Sequence, residues 1–229
     1  MKHFQKTICG YLLFALIGGV GLVNSAYGQQ SLSDANFAKA RMKIVPEDPK
    51  PAIHGARITG ATPGHPFLFL IAATGAAPLT YSAAGLPEGL KLDEKTGIIS
   101  GALAKAGTAE VVLTVSGLGG TAHRELTVVG GDHPLELTPA MGWDSWNAYG
   151  NSVTEANIKD TANAFVLQGL INHGYQYVNM DQGWEGERDA QGNIMSNKLF
   201  PDLKAMCDEI HGKGLKVGIY SVPGPRTCG

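Results

Sequence analysis

From residue 135 onward the chain alternates strand, helix, strand, helix, strand, and no other feature narrows its possible folds as much. Ala140-Met-Gly-Trp-Asp-Ser-Trp146 reads as a first strand and its exit. Thr154 can cap a helix whose apolar positions Ile158, Ala162, Phe165 and Gly169 follow an i, i+4, i+7, i+11 stripe. Residues 175–180 are rich in strand formers, carry no charge and give the second strand. Asp202 opens another helix with Leu203, Met206, Cys207 and Ile210 on one face, and Gly212 and Gly214 end it. Leu215-Lys-Val-Gly-Ile-Tyr220 is the third strand. Units of this kind join through right-handed crossovers into a parallel sheet. Such sheets hold ligands where strands stop and loops begin. In Gly174-Tyr-Gln-Tyr-Val-Asn-Met-Asp-Gln-Gly-Trp184, an acid directly follows the second strand and an indole comes three residues later. A carboxylate so placed can hydrogen-bond a polyhydroxylated ligand while a ring covers its C–H face. Asp181 is therefore expected to grip a sugar.

The stretch 56–129 has a different grammar. Short apolar or β-branched runs at 67–71, 79–82, 98–100, 110–116 and 124–129 are separated by turn signals such as Thr62-Pro-Gly64, Lys95-Thr-Gly97 and Gly117-Leu-Gly-Gly120. Strands at this spacing predict a small antiparallel sandwich, with 110–116 as a largely buried strand. Phe67, Phe69 and Tyr81 fall in strand patterns that read as core. The sequence Leu86-Pro-Glu-Gly-Leu-Lys-Leu-Asp-Glu-Lys-Thr-Gly-Ile-Ile-Ser-Gly101 closely resembles an Ig-like domain found on secreted bacterial enzymes and surface proteins. That resemblance implies an Ig-like fold at 54–131 and a spacer or docking role, with no catalytic residues.

The N-terminus reads as a secretory signal at 1–28. Lys2, His3 and Lys6 precede an apolar run of 16 residues, 8–23, and Ala26-Tyr27-Gly28 offers small residues for cleavage. A membrane span needs roughly 20 residues, so no stable membrane anchor is expected and the protein is placed outside the cell or in the periplasm. Pro46, Pro49 and Pro51 mark 29–53 as an extended linker. A formal net charge of −2 gives no basic footprint for nucleic acid. No Cys or His spacing suggests a metal, and no cofactor is implied. Of three cysteines, Cys9 lies in the signal, and Cys207 sits on the buried face of a helix as a small core hydrophobe. The sequence is silent on oligomeric state.

Three stretches, Thr138-Pro-Ala-Met-Gly-Trp-Asp-Ser-Trp-Asn147, Gly174 through Trp184 quoted above, and His211-Gly-Lys-Gly-Leu-Lys-Val-Gly-Ile-Tyr-Ser221, resemble successive motifs of glycoside hydrolase family 27, the α-galactosidase (melibiase) family. Pro225-Arg-Thr-Cys228 continues the likeness. The resemblance implies that 135–229 is the opening of a (β/α)8 TIM barrel, its first three βα units, in a multidomain chain. It also implies a retaining hydrolase for terminal α-linked galactose that uses two aspartates and no metal. Carried onto this chain, Trp146 packs on the galactose, Asp181 binds its hydroxyls, and Tyr220 lines the same pocket. On the residues alone, Trp146 and Tyr220 read as core side chains at strand ends, and Asp181 could equally be a structural cap or turn residue. Cys228 matches a cysteine that, in the family, bonds to another just beyond the nucleophile. Nucleophile and acid/base lie on later strands in the family, so this chain is expected to be the front of a longer protein and inactive by itself.

Two positions depart from the family pattern. Gln182 stands where most members have a second Asp; an amide can still serve a sugar hydroxyl, but with a weaker anionic grip. Relatives act on other sugars, such as α-N-acetylgalactosamine or β-L-arabinopyranose, and these stay open as substrates. Asp144 stands where Asn is common. A non-catalytic secreted sugar-binding protein is the reading from another class.

Overall fold

The computed structural model describes residues 48–222. The expected signal at 1–28, residues 29–47 of the linker, Cys9, and the Pro225-Arg-Thr-Cys228 stretch with its disulfide candidate lie outside the described residues.

The first half is a sandwich. Its strands are β1 (Ala52–Ile53), β2 (Ile58–Ala61), β3 (Pro66–Leu70), β4 (Ala73–Thr74), β5 (Thr80–Ala84), β6 (Leu90–Leu92), β7 (Ile98–Ala102), β8 (Gly107–Gly117) and β9 (Gly120–Gly130). A four-stranded sheet in the order β2-β9-β8-β5 packs on a three-stranded sheet, β3-β7-β6, while β1 and β4 form a two-stranded ribbon. Phe67, Phe69 and Ile99 from one sheet meet Val111, Leu113, Val115, Leu126 and Val128 from the other, with Tyr81 packed at the edge of this core. Burying each such side chain contributes about 1.5–3 kcal/mol, and this half contains no cysteine to help.

Two sequence expectations need correcting here. The strand at 110–116 is buried on one face only: Val111, Leu113 and Val115 point inward, while Val112 and Thr114 point out. The outer face of this sheet is wetted, and its polar groups pair across strands. Thr127 Oγ1 donates to Glu110, and Thr114 Oγ1 and His123 Nδ1 share a hydrogen bond of 2.9 Å. Nor is the sandwich wholly antiparallel, because β2 pairs parallel to β9 with Ile58 opposite Thr127. A parallel neighbour needs a long connection, and the residues between β2 and β9 supply one.

The second half is a three-stranded parallel sheet in the order β10 (Gly142–Asp144), β11 (Tyr177–Met180), β14 (Lys216–Ile219). Between them come α1 (Trp146–Tyr149), α2 (Glu155–Leu167), a hairpin of β12 (Glu185–Arg188) and β13 (Ile194–Ser196), and α3 (Leu203–His211). Thr154 caps α2 in a reciprocal box: its Oγ1 accepts from Asn157 N–H at 3.2 Å, and its own N–H donates to Asn157 Oδ1 at 3.0 Å. Asp202 caps α3 by accepting from Ala205 N–H at 2.9 Å. Gly169, counted with the apolar stripe, lies past the helix end in a left-handed conformation. Ile158, Ala162 and Phe165 of α2 and Met206 and Ile210 of α3 bury themselves against Val178 and Met180 of β11, with Phe200 and Leu215 completing the core. Cys207 is half-buried at its edge, and burial pushes its thiol pKa up, Asp208 adding to the effect.

Ile158→Ala is expected to lower unfolding stability by roughly 2–5 kcal/mol through the cavity it leaves, whereas Val166→Ala, on the exposed side of the same helix, should change it by less than about 0.5 kcal/mol. Urea denaturation of both variants checks the contrast.

Candidate functional site

Strand register decides which side chains share the rim. Asp144 lies opposite Asn179, and Asn179 opposite Gly218, in the last complete row of the sheet. Two residues beyond that row come Trp146, Asp181 and Tyr220, one at each strand exit. Val178, Met180 and Val217 of these strands pack toward the helices, so by alternation Asn179 and Asp181 lie on the opposite face. Gly218 is required in this row: a Cβ there would lie 2.0 Å from Asn179 Oδ1, whose side chain crosses the third strand.

Neighbouring elements tie the three exits together. The Asp181 N–H donates to the hydroxyl of Ser145, a fully buried residue from the β10 exit, at 2.9 Å. Ser145 N–H in turn donates to the Asn179 carbonyl at 3.1 Å. Tyr220 N–H donates to the Met180 carbonyl at 2.9 Å, and the indole N–H of Trp184 donates to the Tyr220 carbonyl at 2.9 Å. Trp184 is thus a buried strut, while Trp143 packs edge-on against Tyr149 at 6.0 Å. Asn197 secures the turn from below. Its amide donates to the Gly183 carbonyl at 2.7 Å and the Glu185 carbonyl at 3.3 Å, and its Oδ1 accepts from Leu199 N–H.

Against this frame the expected site residues separate. Trp146 and Tyr220 are 40% and 45% exposed, a large fraction for aromatic residues and against the reading of both as core. Asp144 Oδ1 accepts from Trp146 N–H at 3.0 Å and so fixes the start of α1. Asp181 is partly buried; one carboxylate oxygen accepts from Gln182 N–H at 2.7 Å, and the other has no protein partner among the described residues. Gln182 is only 3% exposed and lies beneath the rim, its Oε1 buried without a hydrogen-bond partner, as is Oε1 of nearby Glu185. Ser145, Trp184 and Asn197 are the residues sequence reasoning did not place as supports; a serine or asparagine at a strand exit or in a loop looks like ordinary turn chemistry.

A cavity of about 1370 Å³ opens elsewhere, bounded by Arg57, Phe69, Ile98, Glu136, Tyr177 and Lys216 among others, and none of the four expected site residues lines it. There Lys216 Nζ donates to Tyr177 Oη at 3.2 Å. Burial holds the ammonium pKa below its usual range against an opposing pull from Glu136, and burial followed by the Glu136 hydrogen bond pushes the phenol pKa up. No group of three His, Cys, Asp or Glu residues able to hold a metal stands together among the described residues.

The second half is therefore a parallel α/β sheet with a carboxylate and two exposed aromatic residues at its carboxyl-end rim, joined to a β-sandwich. Residues 138–229 match the family described as Alpha galactosidase A, and residues 50–129 match the family described as "Putative Ig domain". Alpha-galactosidase A of Cellvibrio japonicus is 49% identical over 96 residues, covering 41% of this chain and 24% of that protein. An alpha-galactosidase of Oryza sativa is 49% identical over 100 residues, covering 42% and 24%. A solved structure of a Bacteroides fragilis protein, described as a "putative alpha-galactosidase/melibiase", superposes with a TM-score of 0.74 at 42% identity over 79% of this chain and 39% of its own. A second from the same organism, described as a "putative alpha-galactosidase", gives 0.74 at 40% identity over the same shares. The stretch from 138 onward is thus similar to α-galactosidases and the stretch before it to Ig-like domains, and the chain spans about a quarter of the length of the curated relatives it matches.

Ser145→Ala should leave the buried Asp181 N–H without an acceptor, at a cost of about 1–3 kcal/mol. Its amide is expected to exchange with solvent faster while the amides of β8 keep their rates, measured by hydrogen-exchange NMR.

Proposed function

We propose that this chain is the front of a secreted retaining α-galactosidase. Its segment from 135 onward would be the first part of a (β/α)8 barrel that binds a terminal α-linked galactose at the rim of β10, β11 and β14. The observation that carries the reading is the shared register of Trp146, Asp181 and Tyr220 within a segment 49% identical to an alpha-galactosidase. The unengaged oxygen of Asp181 accepts hydrogen bonds from sugar hydroxyls, Trp146 covers the apolar face of the ring, and Tyr220 closes the side. Retaining hydrolysis further needs a nucleophile and an acid/base carboxyl about 5–5.5 Å apart. Both are assigned to strands beyond this segment. Galactose, rather than another sugar, is the first assignment; Gln182 in place of an acid keeps α-N-acetylgalactosamine and β-L-arabinopyranose as the substrates to compare.

In the whole protein, Asp181→Ala is expected to lower kcat/KM on an aryl α-galactoside by about 10- to 150-fold, the range for losing a hydrogen bond to a charged group. An unchanged kcat/KM removes Asp181 from the site. The 229-residue chain alone should release no product from the same substrate, and measurable turnover would show that its catalytic carboxylates lie within these residues.

A further inference from the structure

We infer that the sandwich and the parallel sheet are one cooperative folding unit, in which the sandwich is a fixed base beneath the N-terminal ends of the parallel strands and not a spacer. The first sign is a break in alternation. Phe67, Phe69, Ile71 and Ala73 point into the sandwich core, which should leave Leu70 and Ala72 facing water. Both are buried, yet neither belongs to the sandwich core or to the core under the parallel sheet.

The turns that feed β11 and β14 cover them. A Cβ on Gly214, just before β14, would lie 3.2 Å from Leu70 Cβ and from Ile98 Cγ1. Before β11, main chain meets main chain: a Cβ on Gly174 would lie 2.8 Å from Gly55 Cα, and the His54 and His173 rings beside this contact are 5.5 Å apart. Gln176 then joins the halves chemically. Its buried side-chain amide donates to the Leu70 carbonyl at 2.8 Å, its own N–H donates to the Met141 carbonyl at 2.9 Å, and its carbonyl accepts from Lys216 N–H at 2.7 Å. One residue thus binds the sandwich to the strand before it and the strand after it. A carbonyl and an amide buried together are costly to separate, since neither finds water while the seam stays closed.

Contacts between domains of one chain are usually polar and allow relative motion by default. This seam combines apolar contacts at Leu70 and Ile98, close approaches at glycines and a buried hydrogen bond, and it runs beside the cavity bounded by Arg57, Glu136 and Lys216. The Bacteroides fragilis superposition covers 79% of this chain, more than either 50–129 or 138–229 supplies alone, so the relative placement recurs in a relative at 42% identity. All of these contacts lie at the opposite strand ends from Asp181, so the base leaves the rim clear.

Calorimetry and hydrogen exchange on the full chain test the inference. The unaltered chain should melt in one transition with equal calorimetric and van't Hoff enthalpies. Gln176→Ala should lower its midpoint by roughly 2–8 °C and weaken exchange protection of β8 and β9 along with β11 and β14, although the substitution lies outside the sandwich. Leu70→Ala, made from the other side, should deprotect β11 and β14. Two separate transitions in the unaltered chain, or full protection of β8 and β9 in Gln176→Ala, would overturn it. If neither variant folds, the transition count of the unaltered chain decides.

Discussion

Parallel pairing of three short strands is the constraint on which the second half depends. Each strand contributes only three or four residues, and every α-helix among the described residues lies in a crossover between them. Because all three run the same way, their carboxyl ends finish together, and the residues two past the Asp144–Asn179–Gly218 row emerge side by side. Helix burial fixes the facing of every side chain in the sheet: once Val178 and Met180 are committed to the α2 and α3 core, Asn179 and Asp181 have one face left. A register slip of one residue would invert this and send the carboxylate into the apolar layer.

The rim is rigid for a second reason. Ser145, Trp184 and the main chain of Tyr220 bridge adjacent exits with partly buried hydrogen bonds, which are electrostatically stronger than the same bonds in open water. Trp184 serves its neighbours from within the core, while Trp146 and Tyr220 keep their rings in solvent. Three aromatic residues at the carboxyl-end side of one sheet therefore have opposite duties, and burial separates them.

Much of this was legible beforehand. Capped amphipathic helices announce themselves: Thr154 and Asp202 sit where a cap is needed, followed by apolar residues at helical spacing. The short parallel strands were legible through the run of strand formers that ends at Asp181. The hairpin of β12 and β13 was not, because Glu185-Gly-Glu-Arg188 carries three charges and its pairing shifts register, so no alternation betrays it. Strands β2 and β6 escaped for lack of length. Ile58-Thr-Gly-Ala61 has one bulky apolar residue, and Leu90-Lys-Leu92 is too brief to show a period. The seam between the halves was invisible because its main participants are glycines and a glutamine, whose value lies in what approaches them from a hundred residues away.

The Asn197 clasp couples the hairpin to the loop that precedes it. Because one amide grips the carbonyls of both Gly183 and Glu185, the hairpin cannot swing independently of the turn that carries the acid. Any displacement of one must carry the other with it, so a change of length or sequence in the hairpin is transmitted to the loop that holds the carboxylate.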